Sequence, residues 1–415
     1  MPRADVVVIG AGLSGLSCAA ELAERGARVH LVAKGMATTH WTHGGLDVAA
    51  PGGARTMRDG IRMLAGTDHH PYRMLATNAD AAVTAHLARM AAAGLEHVGS
   101  LDDAFTGIPT ALGSLRPASI MPVAQSAALA PWGGDGLLLV GFGRFRDAWA
   151  IYAARNLAHA LWPGGPRDIR GVDVELPGLD RLHNIAPQIL ARHFEDPGWR
   201  GRALSAIAAA LPAGAWRIGM PAVLGLDGHA EVHADVERRL GHRVFEMASL
   251  PPSVPGMRLF DALRRRILRG GRIQIGFDVV QVERSGRRVV AIHTEAAART
   301  LRIAGDAFVL ATGGIAGAGI RARHDGTLDE RVFGLPVAAP PRERWFSDDP
   351  LQPHPLEAGG IEVGEDLAPG ELANVRVIGS ALAGMHYLDQ RCGDGVALAS
   401  AHRAAHSLAA RERAA

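Results

Sequence analysis

The sequence predicts an α/β fold: a Rossmann-like dinucleotide-binding domain assembled from both chain ends, with an inserted α+β substrate or cap domain. Three observations carry this. The apolar run Val6-Val7-Val8-Ile9 ends in Gly10-Ala11-Gly12-Leu13-Ser14-Gly15. A second buried-strand candidate, Asp306 to Leu310, ends in Ala311-Thr312-Gly313-Gly314, and Val375-Arg376-Val377-Ile378 meets Gly379. Continuous apolar runs of this length suit strands buried on both faces of a parallel sheet, and a glycine at the end of each lets the backbone approach a ligand closely.

The elements follow in order. Behind the first turn, Leu13, Leu16, Ala20 and Ala23 recur at helical spacing as far as Gly26, which is placed to stop a helix, and Arg28 to Ala33 reads as the second strand. This is a βαβ opening. From about Thr56 to Leu250, Ala-rich helical stretches such as 79–93 and 149–161 alternate with Pro/Gly-rich loops at 107–117, 131–143 and 163–180. An Arg-rich amphipathic helix over 258–268 leads to strand, turn, strand around Ser285-Gly286, and a closing helix runs from about 395 to 409. The expected division is a dinucleotide domain of 1–55, 255–320 and 355–415, an inserted domain of 56–254, and a connecting loop region of 321–354. No repeat of 20–50 residues and no low-complexity linker is present.

Composition narrows the function. The chain has 415 residues, 48% hydrophobic and 21% charged, with a mean hydropathy of +0.07, as an ordered globular protein has. A net charge of +2 gives no case for nucleic-acid binding. Two cysteines, Cys18 and Cys392, form neither a disulfide framework nor a four-cysteine cluster site, so no metal centre is expected. The chain opens without a signal peptide and contains no apolar span, which predicts a cytoplasmic protein whose membrane contact, if it has one, runs through partners.

The glycine turn carries the strongest chemistry. Gly10 allows the tight turn, Gly12 lets backbone meet a pyrophosphate, and Gly15 lets helix and strand pack, while Leu13 and Ser14 place the helix amide end against the phosphate charge. The end of the second strand, where Asp or Glu usually meets the ribose, offers Lys34, the only lysine of the chain. A site for an NADP phosphate, a flavoprotein class with Lys at this position and a solvated lysine are the competing explanations. The loop that follows, Lys34 to Asp47, favours the flavoprotein. It is glycine-rich and polar, and it carries His40, His43, Gly44 and Gly45, a set suited to wrapping a flavin ring with backbone donors and imidazoles. His40 and His43 either face the flavin, transfer protons or satisfy the loop's own backbone. Thr312 and Gly313 suit a second approach to the dinucleotide, and Gly379 a third. Gly393, Asp394, Gly395 and Val396 open the last helix, whose amide end is expected to stabilise negative charge on a reduced flavin.

Together these segments resemble the B subunit of the anaerobic glycerol-3-phosphate dehydrogenases, flavoproteins related more distantly to the flavin subunits of fumarate reductase and succinate dehydrogenase. The resemblance also rests on Ile108 to Pro117, Val140 to Asp147, Leu250 to Leu259 and Gln390 to Val396, and it covers nearly the whole chain. The loop around Thr42-His43 is richer in histidine than the family pattern. The resemblance implies oxidation of glycerol 3-phosphate to dihydroxyacetone phosphate. It also implies a second flavoprotein subunit and an iron–sulfur subunit that pass electrons toward quinone, holding this one at the inner face of the membrane. Family members are described with FMN, but the opening turn argues for a dinucleotide, so FAD is expected with FMN as the alternative. His43 and His386 are the candidates for taking the substrate hydroxyl proton, and Arg116 and Arg258 for holding a small anionic substrate. The rival readings are a flavin-binding electron-transfer or scaffold subunit that oxidises nothing, and an independent FAD oxidase of a hydroxy or amino acid.

Overall fold

A computed structural model describes residues 3–296 and 299–414. The chain divides into two compact units: unit 1 comprises 1–39, 47–89 and 260–415, and unit 2 comprises 40–46 and 90–259.

Unit 1 is built on a seven-stranded sheet. Its parallel part runs Arg272–Ile275, Val29–Ala33, Ala4–Ile9, Arg299–Leu310, with Val375–Val377 also parallel to the last of these. Arg288–Ala296 and Asp278–Ser285 continue from Arg299–Leu310 as antiparallel strands. The twelve-residue strand thus joins the two parts of this sheet: residues 299–304 pair with the antiparallel hairpin, and Gly305–Leu310 pairs with the first strand. The strands at the centre are apolar on both faces, and Val6 to Ile9, Leu31, Val32 and Phe308 to Leu310 are all buried. Helix Leu13–Glu24 packs on the closing helix Gly393–Ala414. Helix Met57–Ala65 starts where the Thr56 side chain accepts the Asp59 N–H at 3.0 Å.

Unit 2 has a four-stranded sheet in the order Arg243–Met247, Trp216–Pro221, Gly136–Phe142, Ile169–Val174, and every pairing in it is parallel. The inserted part is therefore α/β at its centre, and the α+β expectation is corrected; two-stranded antiparallel pairs such as Thr106–Pro109 with Leu115–Ala118 are additions. The glycines and proline around Gly136–Phe142 predict a loop, but its Leu-Leu-Leu-Val run, which lacks any alternation, is a strand buried on both faces. Ile169–Val174, another stretch expected as loop, pairs beside it. Helix Pro197–Ala210 begins with Pro at its first position, and the Asp196 carboxylate accepts the Trp199 N–H at 2.6 Å. Residues 56–89, expected in the inserted domain, and the expected connecting region 321–354 both belong to unit 1.

Candidate functional site

Unit 1 holds a cavity of about 360 Å³ at the end of its parallel strands, lined among others by Gly10, Ala11, Lys34, Asp278, Thr312 and Arg331. Its wall is a backbone turn. Gly10 has φ +116°, and a Cβ there would stand 2.1 Å from the Ala311 carbonyl oxygen, so only glycine fits. A Cβ on Gly15 would stand 2.1 Å from the Gly10 carbonyl oxygen, which is why helix and strand approach so closely at this point. Gly12 is the N-cap of Leu13–Glu24 and no side chain caps that helix, so its first amides, including those of Leu13 and Ser14, have no capping side chain competing for them. Thr312 lines the same cavity, and its Oγ1 is buried with no hydrogen-bond partner among the described residues. A cradle that a Cβ would fill, an uncapped helix start and an orphaned hydroxyl suit a dinucleotide pyrophosphate.

Lys34 and its surroundings extend this edge. Strand Arg272–Ile275 pairs with Val29–Ala33, Ile275 opposite Ala33, and this register delivers Asp278 beside Lys34. Lys34 Nζ donates to Asp278 Oδ2 at 2.8 Å and Arg331 Nη2 to the same oxygen at 3.2 Å. Burial pushes the Asp278 carboxyl up, but the hydrogen bonds and charges of Lys34 and Arg331 outweigh it and hold the group below its usual range. Sequence reasoning missed both Asp278 and Arg331. The available signal was the acid that follows the glycine after a strand adjacent to the second strand, and it becomes visible only once the strand order is known.

The other glycine junctions are organised differently. Gly313 and Gly379 both have positive φ, and Gly379 N donates to Ser400 Oγ at 2.9 Å. At the last helix the amides of Asp394 and Gly395 donate to the Asp47 carbonyl at 3.1 and 3.2 Å, while the Asp394 carboxylate accepts the Asp47 N–H at 2.9 Å. Val396 is buried and its amide is already in the helix ladder with Cys392. The expectation that this helix end offers its amides to a flavin is therefore corrected: Asp47 takes two of them, leaving Gly393 as the one at the tip. Cys392 is fully buried, and burial pushes its thiol up to about 12, so it packs as a thiol and is a poor nucleophile.

In unit 2 the loop 40–46 is held by its carbonyls. Ser253 N donates to the His40 carbonyl at 2.7 Å and Ser253 Oγ to that of Thr42. Gln125 Nε2 donates to the His43 carbonyl at 2.7 Å, and His97 Nε2 lies 3.0 Å from that of Gly44. Ser253 and Gln125 are buried, and sequence reasoning assigned neither of them a role. Gly44 has φ +97°, and a Cβ on Gly45 would stand 2.8 Å from the Ile120 carbonyl oxygen. Burial lowers the pKa of His40. His43 Nδ1 accepts the Gly45 N–H at 3.1 Å, so the neutral ring carries its proton on Nε2. It can donate there, and to accept a proton it must give up Gly45.

The two arginines part company. Arg116 sits half-buried on the hairpin strand Leu115–Ala118, opposite Ile108. Arg258 is buried, with Nη1 and Nη2 on the two oxygens of Glu246 at 2.7 and 3.0 Å and Nε on the Gly225 carbonyl at 2.8 Å. Its role as a substrate clamp is corrected, because its fork is already committed to a buried carboxylate. Burial pushes Glu246 up, but Arg258 overrides this and holds it at about 2. His386, in unit 1, donates its backbone N–H to Gln390 Oε1 at 2.9 Å, and its ring is half-buried.

Comparison with known proteins shows the family. Residues 5–396 match the FAD binding domain family. The B subunit of the probable anaerobic glycerol-3-phosphate dehydrogenase of Halobacterium salinarum is 32% identical, covering 98% of this chain and 98% of its own. The corresponding B subunit of the anaerobic glycerol-3-phosphate dehydrogenase of Pectobacterium carotovorum is 33% identical with the same coverage of both chains. Among solved structures, Mycobacterium smegmatis Sdh1 in complex with UQ1 is similar at 12% identity and a TM-score of 0.46, over 100% of this chain and 69% of that one. The chain belongs to the FAD binding domain family and, within it, to the flavin-dependent B subunits of the anaerobic glycerol-3-phosphate dehydrogenases.

Proposed function

We propose that this subunit oxidises glycerol 3-phosphate to dihydroxyacetone phosphate and passes the electrons to partner subunits toward quinone. The observation that carries the reading is end-to-end likeness: relatives that carry that enzyme's name match 98% of this chain and 98% of their own. With two cysteines in the sequence, four-cysteine ligation of a cluster is ruled out here, so the reading requires an iron–sulfur partner subunit, and the family resemblance adds a second flavoprotein subunit. No helix among the described residues is long and apolar enough to cross a membrane, and attachment to the cytoplasmic face runs through those partners in this reading.

FAD, when bound, supplies the two-electron acceptor that takes hydride from the substrate carbon. The turn Gly10 to Gly15 and the first amides of the following helix hold its diphosphate, and Lys34, Asp278 and Arg331 hold the nucleoside side. Thr312, Gly313 and Gly379 approach from the neighbouring strand ends, with Gly393 at the tip of the last helix. His40, Gly44 and Gly45 shape the loop at the ring. His43 and His386 are the alternative candidates for taking the substrate hydroxyl proton. Arg116 pairs with the substrate phosphate.

The commitment of Arg258 to Glu246 favours one alternative, an electron carrier that oxidises nothing itself, because it removes one of two expected anion clamps. Anaerobic mixing of the FAD-loaded chain with glycerol 3-phosphate decides. Bleaching of the flavin in the isolated chain supports the proposal, and bleaching only when a reduced partner is added supports the carrier. Oxygen-dependent peroxide from the chain alone would replace both with an independent oxidase.

A further inference from the structure

A second cluster lies at the last turn of helix Leu13–Glu24, at the opposite end of that helix from the glycine turn and outside the flavin cradle. Among the described residues it is the one group of three that brings metal-ligating atoms together: one carboxylate oxygen of Glu21 and one ring nitrogen each of His402 and His406 lie within 4.8 Å of one another. His402 and His406 stand one turn apart on helix Gly393–Ala414, so the α-helical repeat puts both rings on the same face. Glu21 Oε1 is 3.0 Å from His402 Nδ1 and 3.2 Å from His406 Nδ1, and the ring centroids are 4.0 Å apart. Bonds of about 2.0–2.1 Å to a tetrahedral zinc ion set its ligand atoms about 3.3 Å apart, close to these separations.

Two arginines share the carboxylate. Arg89 Nη2 lies 3.2 Å from Glu21 Oε2, and Arg89 is also paired with Glu24, which pairs in turn with Arg266. Arg25 Nη2 lies 3.2 Å from Glu21 Oε1 and contacts His406 Nε2. Arg25 thus stands at Glu21 Oε1 and at the outer ring nitrogen of His406, whose Nδ1 faces the His402 carbonyl oxygen at 2.9 Å, and the Arg25 side chain is 31% exposed, so it can swing into solvent. Arg89, at 9%, stays on the other oxygen.

We propose that Glu21, His402 and His406 form a binding site for a divalent transition ion of the zinc type, with Arg25 as the internal cation that the ion displaces. Two imidazoles and a carboxylate are the ligand set that such borderline ions prefer, and water completes the coordination from the exposed His406 side. Three coordinate bonds form, the Arg25 contacts to Glu21 and His406 break, and any proton shared between the imidazoles and Glu21 leaves to solvent. No redox change is involved. Bound metal ties the first helix of unit 1 to its last.

The test uses the full FAD-loaded chain, stripped with chelator and titrated calorimetrically with zinc chloride. The proposal expects one zinc per chain and a rise of a few degrees in the unfolding temperature at excess metal. His406→Ala changes an exposed residue and is expected to weaken binding by about tenfold or more with flavin content unchanged. Arg25→Gln is expected to tighten binding several-fold, the opposite of what loss of a purely structural ion pair would do. Cobalt in place of zinc is expected to give the strong visible bands of a tetrahedral site. Absence of stoichiometric binding to the natural chain, including the case where only Arg25→Gln binds, overturns the proposal, and so does binding that is equal in the natural chain and His406→Ala.

Discussion

In unit 1 the cavity wall is backbone, shaped at Gly10 and Gly15, and its charged side chains Lys34, Asp278 and Arg331 are 67%, 33% and 24% exposed. In unit 2 the principal charges are sealed: Arg258 with Glu246, and Arg200 with Asp235, are each 5% exposed or less. A ligand site made of backbone is sensitive to an added Cβ and tolerant of side-chain charge, because the amides contribute whatever the neighbouring side chains are. A buried ion pair has the opposite sensitivity. Its Coulombic gain only offsets desolvation while both partners are present, so losing one partner is far worse than losing both.

The sharpest way to break this contrast is Gly10→Ala. The new Cβ meets the Ala311 carbonyl oxygen at 2.1 Å on a residue with φ +116°, and neither the strand nor the next turn can yield without moving the sheet. A cost above about 3 kcal/mol is expected, with protein purified free of FAD. Flavin absorbance per chain measures it; a yellow, stoichiometric Gly10→Ala protein would show that the turn is not the cradle. Next in size is Arg258→Met, which strands a buried carboxylate and is expected to cost unit 2 about 3–5 kcal/mol, with most of that recovered in the double variant Arg258→Met, Glu246→Leu. Chemical denaturation of the four proteins reads the cycle. Because Arg258 is structural, the KM for glycerol 3-phosphate in the folded double variant is expected to stay within about twofold of the parent.

These two sites also differ in how far the sequence alone reveals them. The turn is legible because everything it needs is local: a four-residue apolar run, three glycines at fixed offsets and a helical repeat behind them, all within Val6 to Ala23. The Arg258–Glu246 pair is not. In a chain whose basic residues are almost all arginine, any one of them reads as a solvated cation, and only the meeting of helix Val254–Ile267 with strand Arg243–Met247 shows that this one is internal. Asp278 is hidden for a related reason, since the strand order that brings it to Lys34 spans 244 residues of sequence. Gly136–Phe142 misleads differently. Its run of four large apolar residues is plain in the sequence, but the glycines at 133, 134, 136 and 141 read as loop, when those at 136 and 141 in fact make room for Trp216, Asp173 and Ala150 against the strand.

Acid separates the units by a smaller amount. His70 in unit 1 and His229 in unit 2 are both buried, and burial lowers each from 6.5 to about 4. The unfolded chain takes up these protons near pH 6.5 and the folded one only near 4. Each therefore contributes stability that is present above about pH 6.5 and lost as pH falls toward 4, at most about 3 kcal/mol per site. Glu246, held at about 2, adds a further loss only below about pH 4.5. Denaturation midpoints between pH 7 and 4.5 are expected to fall steeply in the parent and measurably less steeply in His229→Asn, with the same flavin content at pH 7. An unchanged slope in that variant would remove His229 from the account.

The smallest effect is expected at Lys34, and it bears most directly on the contrast between the units. Its ammonium pairs with Asp278 at 2.8 Å but is two-thirds exposed, so screening and side-chain entropy leave a contribution of about 1 kcal/mol or less. Removing it does not strand Asp278, because Arg331 holds the same oxygen at 3.2 Å. Lys34→Ala is therefore expected to bind FAD with a Kd raised no more than about fivefold, more so at low salt than at high salt, and to keep its stability. Lys34→Glu is expected to do worse than Lys34→Ala, since it sets a second carboxylate against Asp278, and the gap between the two is expected to close as salt is added. A Lys34→Ala protein that loses FAD as completely as Gly10→Ala would mean that side-chain charge, and not the backbone turn, holds the cofactor in unit 1, and the division between the two units would go with it.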